Sequence, residues 1–148
     1  MPVEVVGLDT NILCYALDPA FLEHKNSSSI LKKISPEFKI AINPTVIHET
    51  YHTLVCKQNW LREEASHRLF SVINQRNVIF YNQTKLTSRN AMLLANKYRL
   101  GGRDSLILSN YLFNNVGLVY THDSTILKLE SILIGAREVR LADPLLSP

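Results

Sequence analysis

Short β-branched runs alternate along the chain with stretches whose apolar residues recur at helical spacing. Residues 3–8 read as a buried strand, followed at once by the turn-prone Asp9-Thr10-Asn11. A short helix over 12–17 closes at Asp18-Pro19, and a second covers 21–35 with Leu31 and Ile34 on one side. Residues 39–42 form the next strand. Asn43-Pro44 then supplies a cap and a first-turn proline, and Val46, Ile47, Thr50, Tyr51, Leu54 and Val55 follow at helical spacing. A helix over 61–75 turns Ala65, Leu69, Val72 and Ile73 inward, and 78–81 is the third strand. Helices over 85–98 and 103–113 follow, separated by Gly101-Gly102. Residues 118–120 are a fourth strand. A short helix from Ser124 and an edge strand over 138–141 complete the pattern.

Strands separated by helical crossovers cannot be hairpins. The order therefore predicts an α/β fold with a mainly parallel sheet and helices on both faces. No linker or repeat divides it, so residues 1–148 read as a single domain. Composition agrees: 148 residues at 46% hydrophobic and 20% charged are enough for one core without a disulfide or metal. No stretch approaches the ~20 apolar residues of a membrane span, and Glu4 and Asp9 around the first apolar run do not suit a signal peptide. Cys14 and Cys56, both in apolar helical patterns, read as reduced core thiols of a cytoplasmic protein. The net charge of +3 permits a nucleic-acid partner without demanding one.

Open α/β sheets bind ligands beyond the carboxyl ends of their strands. Asp9 directly follows strand one, and Asp123 follows strand four after Thr121-His122. Glu49 lies in the early turns of the helix leaving strand two. Asp104 opens the helix that feeds strand four, and Ile107, Leu108 and Tyr111 on its face turn it inward. Singly, each aspartate reads as a helix cap or turn residue. Together, four carboxylates with no paired Lys or Arg would repel one another unless a cation stood between them. Oxygen-only donors select hard ions, Mg²⁺ or Mn²⁺, which suit phosphodiester hydrolysis by an activated water.

Asp9-Thr10-Asn11, Glu49, Asp104 within Arg-Asp-Ser-Leu-Ile-Leu, and Thr121-His122-Asp123 resemble, in order and spacing, the acidic quartet of the PIN domain family. The resemblance spans the chain from Val3 to about Leu141. It implies a three-layer αβα sandwich and a Mg²⁺- or Mn²⁺-dependent ribonuclease. Single-domain members of this size are mostly toxins of VapC-like toxin–antitoxin pairs, which dimerise and are blocked by a small protein antitoxin. By that resemblance Asp9, Glu49, Asp104 and Asp123 hold metal, and Asn11 and Thr121 orient carboxylates or water. One departure is Thr125, where many members carry a further acid, so the resemblance does not require a second ion.

Two other readings compete. His48-Glu49-Thr50-Tyr51-His52 satisfies H-E-x-x-H, a zinc metalloprotease pattern with Glu49 as general base and Glu63 or Glu64 as a further ligand. It leaves Asp9, Asp104 and Asp123 unexplained, and Val55 and Gln58 stand where the extended form needs Gly and His. His48 and His52 read better as partly exposed helix residues. The other is a catalytically silent RNA-binding or scaffold module of the same fold. Arg99 and Arg103 flank the proposed rim, and the stripe Leu106, Ile107, Leu108, Tyr111, Leu112 and Phe113 reads as core with an exposed remainder as a candidate dimer seam. If four acids share one hole, nine of the 13 remain against 16 basic residues: a basic surround for an acidic centre.

Overall fold

The computed structural model describes residues 2–146. Its elements are β1 (Glu4–Leu8), α1 (Thr10–Leu17), α2 (His24–Lys32), β2 (Phe38–Ile42), α3 (Pro44–Cys56), α4 (Arg62–Asn74) and β3 (Val78–Phe80). They continue as α5 (Lys85–Tyr98), α6 (Gly102–Phe113), β4 (Leu118–Tyr120), α7 (Ser124–Leu127), β5 (Ser131–Ile134) and β6 (Arg137–Ala142). The strands stand in the order β3-β2-β1-β4-β6-β5. Four of the five pairings are parallel; β5 and β6 alone are antiparallel. The chain steps outward through β1, β2 and β3, then returns past β1 to β4. Right-handed crossovers therefore put α1–α4 on one face and α5 and α6 on the other, the expected three layers.

Local chemistry explains most element ends. Asn43 caps α3 by accepting the Val46 N–H at 3.1 Å, with Pro44 in the first turn. Thr84 and Thr87 close a reciprocal capping box on α5, which ends at Arg99 in the left-handed region (φ 56°). Gly101 is the N-cap of α6, so Asp104 sits in the first turn and not at the cap.

Two expectations need correction. The strand at the chain's end is interior, between β4 and β5, and the outer strand is β5. β5 gives little alternation to read, because Ile132 is its only fully buried residue. It turns into β6 through Gly135, whose φ of +59° suits a residue without a Cβ. Cys14 is buried, but Cys56 is exposed at the last turn of α3. In the α6 stripe Ile107, Leu108, Tyr111 and Leu112 are buried and only Leu106 and Phe113 are part-exposed, while the fully exposed apolar side chains include Phe70 on α4 and Leu86, Met92 and Leu93 on α5.

α6 is fixed to the sheet by Tyr111, which is fully buried. Its hydroxyl donates to the Leu8 carbonyl at 2.6 Å and the Ala41 carbonyl at 3.1 Å, tying β1 and β2 to one side chain. Its ring lies on Gly7, where a Cβ would stand 2.9 Å from the ring. Buried polar groups tie the same helix to its neighbours. Ser109 donates to the Thr87 carbonyl, and Asn110 donates to the Tyr81 and Asn82 carbonyls and to Gln83. On β5, the Leu133 N–H donates to the Tyr98 hydroxyl at 2.9 Å, and Lys97 donates to the Leu133 carbonyl at 2.9 Å.

Gly7→Ala is expected to destabilise the protein by about 1–3 kcal/mol through overpacking against a tethered ring. Gly117→Ala, which meets open space, leaves stability nearly unchanged. Urea denaturation of the two variants checks the contrast.

Candidate active site

Two strand ends and two helices bring all four predicted carboxylates to one cavity. Asp9 leaves β1 as the N-cap of α1 and is 6% exposed. One of its oxygens accepts the Thr10 N–H at 2.8 Å, and the other accepts the Thr121 hydroxyl at 2.7 Å. Thr121 is itself buried and accepts the Asp123 N–H at 3.1 Å, so one hydroxyl joins the ends of β1 and β4. Asp123 caps α7, accepting the N–H groups of Thr125 and Ile126. Glu49 accepts the Thr10 hydroxyl at 2.8 Å and meets the Arg103 guanidinium at 3.3 Å. Asp104 enters from the first turn of α6. Asp9, Glu49, Asp104 and Asp123 line one open cavity of about 520 Å³. Asn11 lines it too, and its side chain accepts the His122 N–H at 3.3 Å.

Burial and mutual repulsion set the electrostatics. Burial first, then the charges of Asp104 and Glu49, push Asp9 up to about 6 against the hydrogen bonds from Thr121 and Thr10. Burial also raises Asp104, with repulsion from Asp123 and Glu49 adding to it and Arg103 opposing. The ion pair between Glu49 and Arg103 corrects the expectation of a quartet with no basic partner. Arg103 is 78% exposed, so water screens that pair.

The donor set fits a hard divalent cation: four carboxylates and no sulfur converge where negative charge is already costly. Among the described residues, no three His, Cys, Asp or Glu close into a ready-made metal group. The carboxylates stand around the cavity instead of meeting at a point. Mg²⁺ commonly takes one or two carboxylates and keeps several waters, which suits that spacing.

The H-E-x-x-H reading finds no such support. His48 and His52 are both exposed on α3, as expected, while Thr10 and Arg103 engage Glu49 toward the acidic cavity. Glu63 and Glu64 lie in a different groove, beside Arg62 and Phe70. Two polar contacts were not legible in the sequence. Thr10 reaches Glu49 across 39 positions, and His122 pairs with Asp143 just beyond β6 at 2.7 Å. Neither pair has a spacing signal, because each depends on how separate strands align.

Comparison with known proteins follows the same lines. The sequence matches the PIN domain family over residues 6–131. Among solved structures, the fold is similar to the Mycobacterium tuberculosis toxin VapC20, described as cleaving the sarcin-ricin loop. That match has a TM-score of 0.71 at 12% identity and covers 84% of this chain and 94% of the other. It is also similar to VapBC2 of Rickettsia felis bound to a promoter DNA fragment (TM-score 0.64, 19% identity, 94% and 98% covered). A third is VapBC-1 of nontypeable Haemophilus influenzae (TM-score 0.62, 15% identity, 95% and 98% covered). These likenesses show the fold. A search of curated proteins finds no match.

The raised Asp9 pKa has a signed consequence for stability. Its carboxyl moves from 3.8 to about 6, so between those values the folded state holds a proton that the unfolded state has lost. Stability from this group therefore falls as pH rises through that window. Above it, the buried charge costs on the order of 3 kcal/mol. Asp9→Asn keeps an acceptor for Thr10 and removes the charge. In EDTA it is expected to raise the melting temperature by several degrees near pH 7, with the gain disappearing toward pH 4. Thermal melts across that range check it; an equal gain at both ends would assign the effect to something other than charge.

Proposed function

The chain belongs to the PIN domain family, and from that premise we propose that it is a divalent-cation-dependent endoribonuclease, the toxin of a toxin–antitoxin pair. Asp9, Glu49, Asp104 and Asp123 hold Mg²⁺ or Mn²⁺, directly or through water. The observation that carries this reading is the arrival of four carboxylates from four separated segments in one cavity. A bound dication supplies an acidified water and neutralises charge on the phosphodiester.

The chain's own residues prepare that chemistry. Thr121 and the Thr10 N–H hold Asp9 in one orientation, and the Thr10 hydroxyl does the same for Glu49. Arg103 places a guanidinium at the rim, where a substrate phosphate can exchange for Glu49. Asn11 steadies the loop that presents Asp123 through the His122 N–H. The solvent-exposed Thr125 adds no carboxylate, so the site needs no second ion in the absence of substrate.

Support for a small protein antitoxin comes from the toxin–antitoxin complexes that share the fold. Exposed Leu86, Met92 and Leu93 on α5 offer an apolar surface for a homodimer. No helix among the described residues is long and apolar enough to cross a membrane. The lack of a ready-made three-ligand group among the described residues leaves one alternative, a catalytically silent RNA-binding module of the same fold.

Cleavage assays separate the two. Wild type is expected to cut RNA in Mn²⁺ and stop in EDTA. Asp9→Asn or Asp104→Asn lowers the rate by at least about a hundredfold while the circular dichroism stays native. Full activity of either variant would remove the carboxylates from the reaction, and no cleavage by wild type would leave the binding module.

A further inference from the structure

The cavity does not end at the carboxylates. It continues along a trough between α1 and α3, where Tyr15, Phe21, Lys57 and Gln58 form its walls. Both helices leave the carboxyl ends of neighbouring parallel strands and run side by side. Lys57, eight residues beyond Glu49, therefore lies roughly 12 Å further along the helix axis. Tyr15 and Phe21 pack edge to face, with ring centroids 5.0 Å apart, and both are only partly buried.

Behind the trough stands Asp18, a carboxylate 5% exposed that belongs to none of the chemistry above. It accepts the Ala20 N–H at 2.9 Å, the Gln58 side-chain amide at 3.1 Å and the Trp60 indole N–H at 3.2 Å. Those bonds fix which way the Gln58 amide points: its nitrogen is turned to Asp18, leaving its oxygen as an oriented acceptor. An aromatic pair, an oriented amide and a cation thus line the same cavity as the four carboxylates.

Resting on the nuclease reading, we propose that this arm binds an unpaired nucleotide adjacent to the cleaved phosphodiester. Its base stacks against Phe21 and Tyr15, its edge meets Gln58, and its phosphate meets Lys57. Aromatic faces beside a backbone-binding cation are the means by which proteins hold splayed single-stranded bases. Paired bases inside a duplex have both faces covered by neighbours and cannot enter the arm. Selection among single-stranded substrates therefore depends on the arm as well as on the carboxylates.

The test compares wild type with Phe21→Leu, Phe21→Tyr and Lys57→Ala on labelled single-stranded and fully paired oligoribonucleotides in Mn²⁺. Trp60, the only tryptophan, reports occupancy by its fluorescence in EDTA. Wild type is expected to cleave the single strand and spare the duplex. Phe21→Leu keeps apolar bulk and raises KM about tenfold with kcat little changed, and Phe21→Tyr restores KM. Lys57→Ala weakens binding of every single strand and lowers the salt slope by about one. The single strand quenches Trp60 in wild type and the duplex does not. An unchanged KM in Phe21→Leu, with wild type still cleaving, overturns the arm and leaves the nuclease standing. If wild type cleaves nothing, the nuclease reading fails, and Trp60 quenching by the single strand alone decides whether the arm still binds it.

Discussion

The contact between Tyr111 and Gly7 is the constraint from which the site's geometry follows. A ring lying on a residue without a side chain brings α6 closer to β1 than any other residue at position 7 allows. The two hydrogen bonds from the hydroxyl then fix the helix along the strands as well as above them. Asp104 lies seven residues before Tyr111, two helical turns along the same face. Its position relative to Asp9, two residues beyond Gly7, is thus set by core packing. Toward one another the acids contribute only repulsion, so packing elsewhere has to help hold them together.

Repulsion and burial are tolerated because the backbone shares the work. Asp9 and Asp123 are both helix caps, and Thr121 bridges from one to the other. The structural and functional readings of these aspartates are not alternatives. The same oxygens that accept N–H groups at helix starts keep the carboxylates aimed at the cavity. The Thr121 hydroxyl and then the Thr10 N–H favour the charged form, which limits how far burial can raise the pKa of Asp9.

The sequence makes legible those parts whose signals are local. α5 was placed at both ends because apolar spacing and turn residues bound it. The parallel sheet followed from alternation of strands and helices, and the four acids followed from their places after strands or at helix starts. What escaped depends on tertiary alignment. Ser109 and Asn110 are polar, yet both are buried to anchor α5 and the chain leading into it. Arg103 sits beside Asp104 in sequence but pairs with Glu49 on another helix. Phe21, just past α1, and Lys57 and Gln58, just past α3, share one cavity only because those two helices pack side by side. No periodicity along one segment encodes a relation between two.

The bonds to Leu133 bear on how copies of this chain can meet. A sheet's last strand presents N–H and C=O groups that another chain can extend, the usual route to runaway strand addition. Here the Tyr98 hydroxyl accepts the Leu133 N–H and Lys97 donates to its carbonyl, so α5 imitates the missing strand at the middle of β5. A lysine at that edge also sets charge against a second copy. Growth of the sheet is thereby blunted on this side, and association there is left to helical faces, where it can stop at a defined number of subunits.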